Sequence, residues 1–382
     1  MPMKKQFIQG NFLLEQATIK NGNIHVENGK ITDFDEKIVS DCETVNLQGS
    51  LVIPTFKNAH VHLGETNFRP LASKMTLFDY ISLVEQKNKE QGDKVQANWE
   101  NAANTTMKEC LQSGTSAIST IRGDIIVGNY PLDSFCGYPI MKKSEKLNKF
   151  YQEGMAGFDK YYESCQNNGA IPGVFLHSFY ANDKDSINLV KSIVKKYFCF
   201  LALHVGEDET SEYAVKREWN GKGSVQLLKE YDLLTPQTIL VHCGVLNESE
   251  LEQIKKHNSK IAVCPISNDM LLTKTPDPLL LEEIGIDWSI ASDGLATGKT
   301  ANLIEQARFL KERHPRLSDK QLLKAMTQGA SNVIGLKTSK SLDIGQDASF
   351  LVCNAGSIGD IFHKENPVRS MYIKGNNIDL ER

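Results

Sequence analysis

Residues 171–207 read IPGVFLHSFYANDKDSINLVKSIVKKYFCFLALHVGE. An apolar run opens the stretch at 171–179 and another closes it at 198–206. Between them, Ile187, Leu189, Val190, Ile193 and Val194 fall on one face of a helix with 3.6 residues per turn. A strand, an amphipathic helix and a second strand make the unit from which parallel sheets are built.

The same alternation recurs on both sides of this stretch. Short apolar runs occur at 51–56, 115–120, 138–142, 171–179, 198–206, 238–244, 260–267 and 287–294. Segments with helical spacing separate them, such as ESELEQIKKHN at 248–258. Eight strands alternating with helices predict an α/β fold, a parallel sheet closed as a (β/α)8 TIM barrel over residues 51–339. A doubly wound open sheet is the alternative, but no G-x-G-x-x-G or P-loop sequence marks any strand-to-helix turn. The ends of the chain are β-rich. In QATIKNGNIHVENGKITDFDE (16–36), Asn21-Gly22 and Asn28-Gly29 sit among alternating apolar and polar residues, a hairpin signal. DASFLVCNAG (347–356) and VRSMYIKGNNIDLE (368–381) read as strands, with Gly375-Asn376 at a turn. Residues 1–50 and 340–382 are therefore expected to form a small β domain beside the barrel.

Bulk composition excludes several classes. The chain has 382 residues, 40% hydrophobic and 24% charged, with net charge −4, which suits a soluble globular protein. No basic excess points to nucleic acid or to an anionic membrane. No run reaches the roughly 18 apolar residues of a membrane helix, so a cytoplasmic protein is expected. The eight cysteines form no C-x-x-C pair and are expected to be reduced, buried thiols.

In such a barrel, functional side chains sit at the C-terminal ends of strands. The first run leads into PTFKNAHVHL and supplies His60 and His62. Their i, i+2 spacing puts both imidazoles on one face of an extended segment. The fifth run ends in HVGE, giving His204 and Glu207; the sixth carries His242; the eighth ends in SDG, giving Asp293. Singly, each has an ordinary structural explanation, such as a turn aspartate or an acidic first turn of a helix. Together, imidazoles plus a carboxylate are the ligand set of Zn²⁺ or Fe²⁺. Such an ion lowers the pKa of bound water from 15.7 to about 7, which supplies hydroxide at neutral pH. His25, His257, His314 and His363 lie in polar contexts and are read as surface residues.

The motifs PTFKNAHVHL, LHVGE, LVHCGVL, VCPISNDML and ASDGLAT…NL, in this order, resemble the amidohydrolase superfamily. Within it they are most similar to the aminohydrolase branch, which contains methylthioadenosine/S-adenosylhomocysteine, aminofutalosine, guanine and cytosine deaminases and triazine hydrolases. The resemblance spans nearly the whole chain, including a composite small β-sandwich formed by its two ends. It implies that His60, His62, His204 and Asp293 hold one divalent metal ion, zinc first and iron second. Glu207 would shuttle protons, His242 would hold or polarise the attacking water, and Asp293 would take a proton from that water. Arg69, His177, Ser267 and Asn268 would meet the substrate. Relatives with two metals carry a lysine at the end of the fourth strand, where this chain has IPGVFLHSFY, so a single ion is expected. The chain departs from the family pattern at Thr55, at Lys57, at Ala348-Ser349-Phe350, and at Ala296-Thr297-Gly298-Lys299 beside the mouth.

The implied activity is hydrolytic deamination of an amino-substituted heterocycle, purine- or nucleoside-like. The same site could instead cleave a cyclic amide or imidazolone, or displace a halide; a silent scaffold is the third alternative. The expected partner is a small heterocyclic molecule, with a homodimer as the default oligomer.

Overall fold

The computed structural model describes residues 4–14, 18–69, 71, 73–123, 126–337 and 339–380, with backbone only at 93, 95 and 96. Five strands open the chain: β1 (Lys4–Leu14), β2 (Thr18–Glu27), β3 (Lys30–Asp35), β4 (Glu43–Asn46) and β5 (Leu51–Pro54). Eight follow: β6 (Phe56–Val61), β7 (Thr115–Ile121), β8 (Asp133–Ile140), β9 (Ile171–Leu176), β10 (Phe200–Val205), β11 (Thr238–His242), β12 (Lys260–Val263) and β13 (Trp288–Ile290). Three close it: β14 (Phe350–Cys353), β15 (Val368–Ile373) and β16 (Asn376–Ile378).

Strands β6 to β13 lie side by side in chain order, and each neighbouring pair is parallel. This is the expected (β/α)8 barrel. Helices cross back over the outside, as the opening stretch requires. In the helix Lys184–Tyr197, Ile187, Val190 and Ile193 are fully buried. Asp183 caps it, accepting from the Ser186 N–H at 3.1 Å. The bore is filled by Ala59, Ala117, Phe135, Phe175, Phe200, Ala202, Ile239, Val241 and Ala262. Alanines beside phenylalanines let large rings from some strands fill space left by others.

The seam between β13 and β6 closes through side chains. Asn58 Nδ2 donates to Ser292 Oγ (2.7 Å) and its Oδ1 accepts from the Ser292 N–H (3.2 Å). One step higher, the Asp293 N–H donates to the His60 carbonyl at 3.1 Å. The seam therefore fixes two of the predicted site residues relative to each other.

The terminal strands form one mixed sheet in the order β16-β15-β14-β5-β1-β2-β3, with β4 beside β1. Phe7 of β1 touches Phe350 of β14 (4.8 Å between centroids) and Tyr372 of β15 (4.9 Å). Strands three apart would stand roughly 14 Å apart in a flat sheet, so this sheet curls around its own core. Leu342 and Ala348 also enter that core.

Several expectations need correction. The run 51–56 is two strands: Leu51–Pro54 pairs with β1 and β14, and only Phe56 onward joins the barrel. Thr55 separates the strand that joins the terminal sheet from the strand that joins the barrel. The third barrel strand begins at Asp133, five residues before the apolar run that signalled it. Asn21-Gly22 is no turn; it lies inside β2, with Gly22 opposite Gly10, and a side chain at Gly10 would collide with the Phe12 ring. Asn28-Gly29, with φ of 52° and 78°, does make the turn between β2 and β3. The last hairpin turns at Lys374-Gly375, one residue earlier than read. None of the eight cysteines is joined in a disulfide, and seven are buried, Cys42 being half-exposed. Among the described residues, no helix is long and apolar enough to cross a membrane.

Candidate active site

His60 lies one residue before the end of β6 and His62 just beyond it, His204 lies one residue before the end of β10, and Asp293 follows β13. The structure brings these four together, with one donor atom of each within 4.8 Å of all the others. His60 Nε2 lies 2.9 Å from His62 Nε2 and 3.2 Å from His204 Nε2. Asp293 Oδ1 stands 3.3 Å from both His60 Nε2 and His62 Nε2. Donors held about 2.0–2.1 Å from a tetrahedral ion are themselves about 3.3 Å apart. Three imidazole nitrogens facing one another cannot all be satisfied by protons shared among themselves. The donor set fits one divalent ion, zinc in the first place and iron as a compatible second.

Two of the four donors are held by a neighbour. Ser267 donates to Asp293 Oδ2 at 2.5 Å. His62 Nδ1 donates to Glu65 Oε1 at 2.5 Å. Burial alone would raise the Asp293 carboxyl, but His62 and a hydrogen bond from His60 hold it well below the usual range. Burial would lower His62, yet Glu65 and Asp293 raise its imidazole to about 9. Burial dominates at His60, lowered to about 4 despite its hydrogen bond with Asp293.

Two further groups flank the cluster. Glu207 is buried; that burial, with the charges of Asp293 and Asp208, raises its carboxyl to about 7 against the pull of His242. The Tyr180 hydroxyl donates to Glu207 Oε1 at 3.3 Å, and His242 Nε2 stands 3.9 Å from Oε2. His242 is fixed from behind. Asn268 donates through Nδ2 to the Lys274 carbonyl (3.1 Å), so its Oδ1 accepts from His242 Nδ1 (2.7 Å). That places the proton of a neutral imidazole on Nδ1 and leaves Nε2 bare. His242 and Asp293 take positive φ, 73° and 60°, a left-handed turn at strand ends that re-aims the side chains.

These groups share one cavity of about 420 Å³, within the range of small-molecule sites. Its floor includes His62, His177, His204, Glu207, His242 and Asp293. One wall comes from the helix Leu77–Gln91, through Leu77, Tyr80, Ile81 and Val84. The opposite wall carries Trp99, Arg122, Met141, Lys146 and Leu147. Arg122 lies over the Trp99 ring at 4.3 Å. Burial and the nearby Arg122 and Lys149 charges lower Lys146 to about 8.

The residues expected to meet substrate divide. His177 lines the cavity. Ser267 and Asn268 do not: both are fully buried and hold Asp293 and His242. Arg69 pairs with Glu109 of the helix Val95–Gln112 and does not line the cavity, although the turn Leu63–Phe68 just before it does so through Leu63, Gly64, Glu65 and Phe68. The sequence reading missed Glu65, Tyr80, Tyr180, Arg122 and Lys146. Only Glu65 had a local signal, three residues beyond His62.

A (β/α)8 barrel with a His/His/His/Asp cluster at the strand ends defines a metal-dependent hydrolase. The amidohydrolase family profile matches residues 51–378, and the chain belongs to that family, hydrolases acting on carbon–nitrogen bonds. It is 25% identical over 350 residues to the 5-methylthioadenosine/S-adenosylhomocysteine deaminase of Aquifex aeolicus, spanning 86% of this chain and 79% of the relative. It is 23% identical over 401 residues to the 5'-deoxyadenosine deaminase of Methanopyrus kandleri, spanning 99% and 91%. Among solved structures, an adenosine deaminase from Xanthomonas campestris with bound zinc is similar at TM-score 0.87 and 16% identity, over 98% of this chain and 92% of that one. Guanine deaminase of E. coli is similar at TM-score 0.84 and 16% identity, over 99% of each. At such identities the structural likeness speaks for the fold.

Proposed function

We propose that this protein is a hydrolytic deaminase of an amino-substituted purine, with adenosine-type nucleosides as the first substrate class to test. The observation that carries the reading is one largely apolar cavity whose floor gathers the His62, His204 and Asp293 donors with the buried Glu207 and His242. Glu207 is raised to about 7, whereas Asp293 is held well below the usual range. Such a pair supplies an acid and a base side by side at neutral pH. The named activities of the sequence relatives support the same class.

His60, His62, His204 and Asp293 would hold the ion, which supplies Lewis acidity and makes hydroxide available near neutral pH. The chain's own groups do the rest. His242 turns its bare Nε2 toward the attacking water and orients it. Asp293, ionised, takes a proton from that water as its oxygen bonds to the carbon bearing the amino group. Glu207, protonated, gives its proton to the adjacent ring nitrogen, which stores the electron pair. The tetrahedral carbon then expels ammonia, the departing nitrogen taking the proton from Asp293, while the remaining hydroxyl proton restores Glu207. Atoms balance as one water in and one ammonia out. His177 and the apolar walls from Leu77 to Val84 hold the ring system. A cytoplasmic enzyme with no nucleic-acid or membrane partner is part of this proposal, and eight cysteines outside any disulfide suit a reducing compartment.

Ammonia release is the test, measured on aminopurines, adenosine-type nucleosides, aminopyrimidines and aminotriazines with zinc-loaded and chelated protein. The expected result is ammonia from the adenosine-type subset, abolished by chelation. Chloride or a ring-opened acid from zinc-loaded protein, with no ammonia, overturns it.

A further inference from the structure

Glu65 sits between the predicted metal ligand His62 and the helix Leu77–Gln91 that walls the cavity. It lies in the turn Leu63–Phe68 that begins at His62. That turn is braced from outside, since Thr106 of the helix Val95–Gln112 donates to the Leu63 carbonyl at 3.1 Å. Gly64 packs so closely on Trp99 that a Cβ there would lie 2.0 Å from the indole. The two Glu65 oxygens are used differently. Oε1 accepts from His62 Nδ1 at 2.5 Å, and Oε2 accepts from the Tyr80 hydroxyl at 2.7 Å. Behind them, a Cβ on Gly294 would lie 1.8 Å from Oε2. A glycine directly after Asp293 therefore leaves the slot that the carboxylate fills. Tyr80 belongs to the helix Leu77–Gln91, whose Leu77, Ile81 and Val84 form a cavity wall. This helix packs with Ile266, Met270, Leu271 and Ala296 in an apolar cluster separate from the barrel core.

We propose that Glu65 is a positioning residue that ties the substrate-covering helix to the metal centre through Tyr80 and His62. Its Oε1 fixes the His62 tautomer, with the proton on Nδ1 and the lone pair of Nε2 aimed at the other donors. A carboxylate behind a ligating histidine also makes that histidine a better donor. Its Oε2 is occupied by Tyr80, so the seat of that wall helix and the imidazole's orientation are set by one side chain. The inference rests on the reading of His62 as a metal ligand.

The experiment measures zinc affinity by competition with a chromogenic chelator, alongside the visible spectrum of the cobalt(II)-loaded protein. Wild type, Glu65→Ala, Glu65→Gln, Tyr80→Phe and His204→Ala are compared. Glu65→Ala is expected to weaken zinc binding by about 10–100-fold. Glu65→Gln, which keeps an acceptor for His62, should lose less. Tyr80→Phe removes one oxygen remote from the donors. It should still shift the cobalt spectrum, weaken zinc binding measurably and raise KM more than it lowers kcat. Equal unfolding midpoints of the metal-free variants establish that they fold. If Glu65→Ala and Tyr80→Phe bind zinc like wild type, the tie is wrong. If wild type binds no zinc, or His204→Ala binds it undiminished, the metal-site reading itself fails.

Discussion

The two ends of the barrel bore both bury charge, and they handle it in opposite ways. At the floor, Lys57 is fully buried among oxygens that satisfy it. Its Nζ donates to the Thr55 carbonyl (2.7 Å), Thr55 Oγ1 (3.3 Å) and the Ser339 carbonyl (2.6 Å). Three donors meet three acceptors, and nothing more is required. At the mouth, His60, His62, His204 and Asp293 turn their donors toward one centre and cannot all satisfy one another. On the far side of its ring, His204 Nδ1 has no hydrogen-bond partner among the described residues. Buried polar groups are normally paired, so a converging set that stays unmet marks a ligand site, while a satisfied buried lysine marks architecture. Thr55 and Lys57, two of the departures from the family pattern, are thus one device that locks the junction of the two sheets to residue 339.

That contrast can be broken by mutation, and the mouth should give the larger effects. His60→Ala or His204→Ala should abolish zinc binding and with it activity, measured as metal per chain and ammonia release. Glu207→Gln should leave the metal in place and lower kcat by about 10²–10⁴-fold, the usual span for a general acid. Asn268→Ala should cost about 10–100-fold, since it frees His242 Nδ1 without touching substrate.

The floor should show in stability and not in chemistry. Lys57→Met leaves two buried carbonyls without a donor, at about 1–3 kcal/mol each, and should lower the denaturation midpoint while kcat stays near wild type. Its pH dependence has a definite sign. Burial lowers the folded-state ammonium to about 7, against about 10.4 in the unfolded chain. Between these values the unfolded state binds more protons, so wild-type stability should rise with pH relative to Lys57→Met. A flat difference from pH 7 to 9 would show that the three oxygens hold the proton on. At the mouth the sign is reversed for rate. The acid form of Glu207 persists to about 7, so kcat/KM should fall as pH rises through that value.

The barrel was legible because helical and strand periodicity survive in single segments, as at Ile187, Val190 and Ile193. His60, His62, His204, Glu207, His242 and Asp293 were legible as one set because strand ends are where such a barrel places chemistry; the resemblance picked the four donors among them. What was lost has physical causes. A continuous apolar run such as 51–56 carries no mark where the chain leaves one sheet for another. The strand Asp133–Ile140 starts with polar residues and hid half its length. Ser267, Asn268 and Arg69 were placed by resemblance alone; their distances to cavity and neighbours depend on how loops fold back, which spacing does not encode. Tyr80 and Lys146 reach the cavity only through the packing of segments that spacing does not relate, whereas Glu65, three residues beyond His62, carried a local signal.

The central claim is that Glu207 moves the proton in a metal-dependent deamination. The most direct measurement is ammonia release from an adenosine-type nucleoside by zinc-loaded wild type and zinc-loaded Glu207→Gln, with metal content determined on the same samples. The account predicts one ammonia per nucleoside converted by wild type, and turnover at least about 10²-fold slower in the variant at equal zinc. Full turnover by Glu207→Gln with one zinc bound would contradict it.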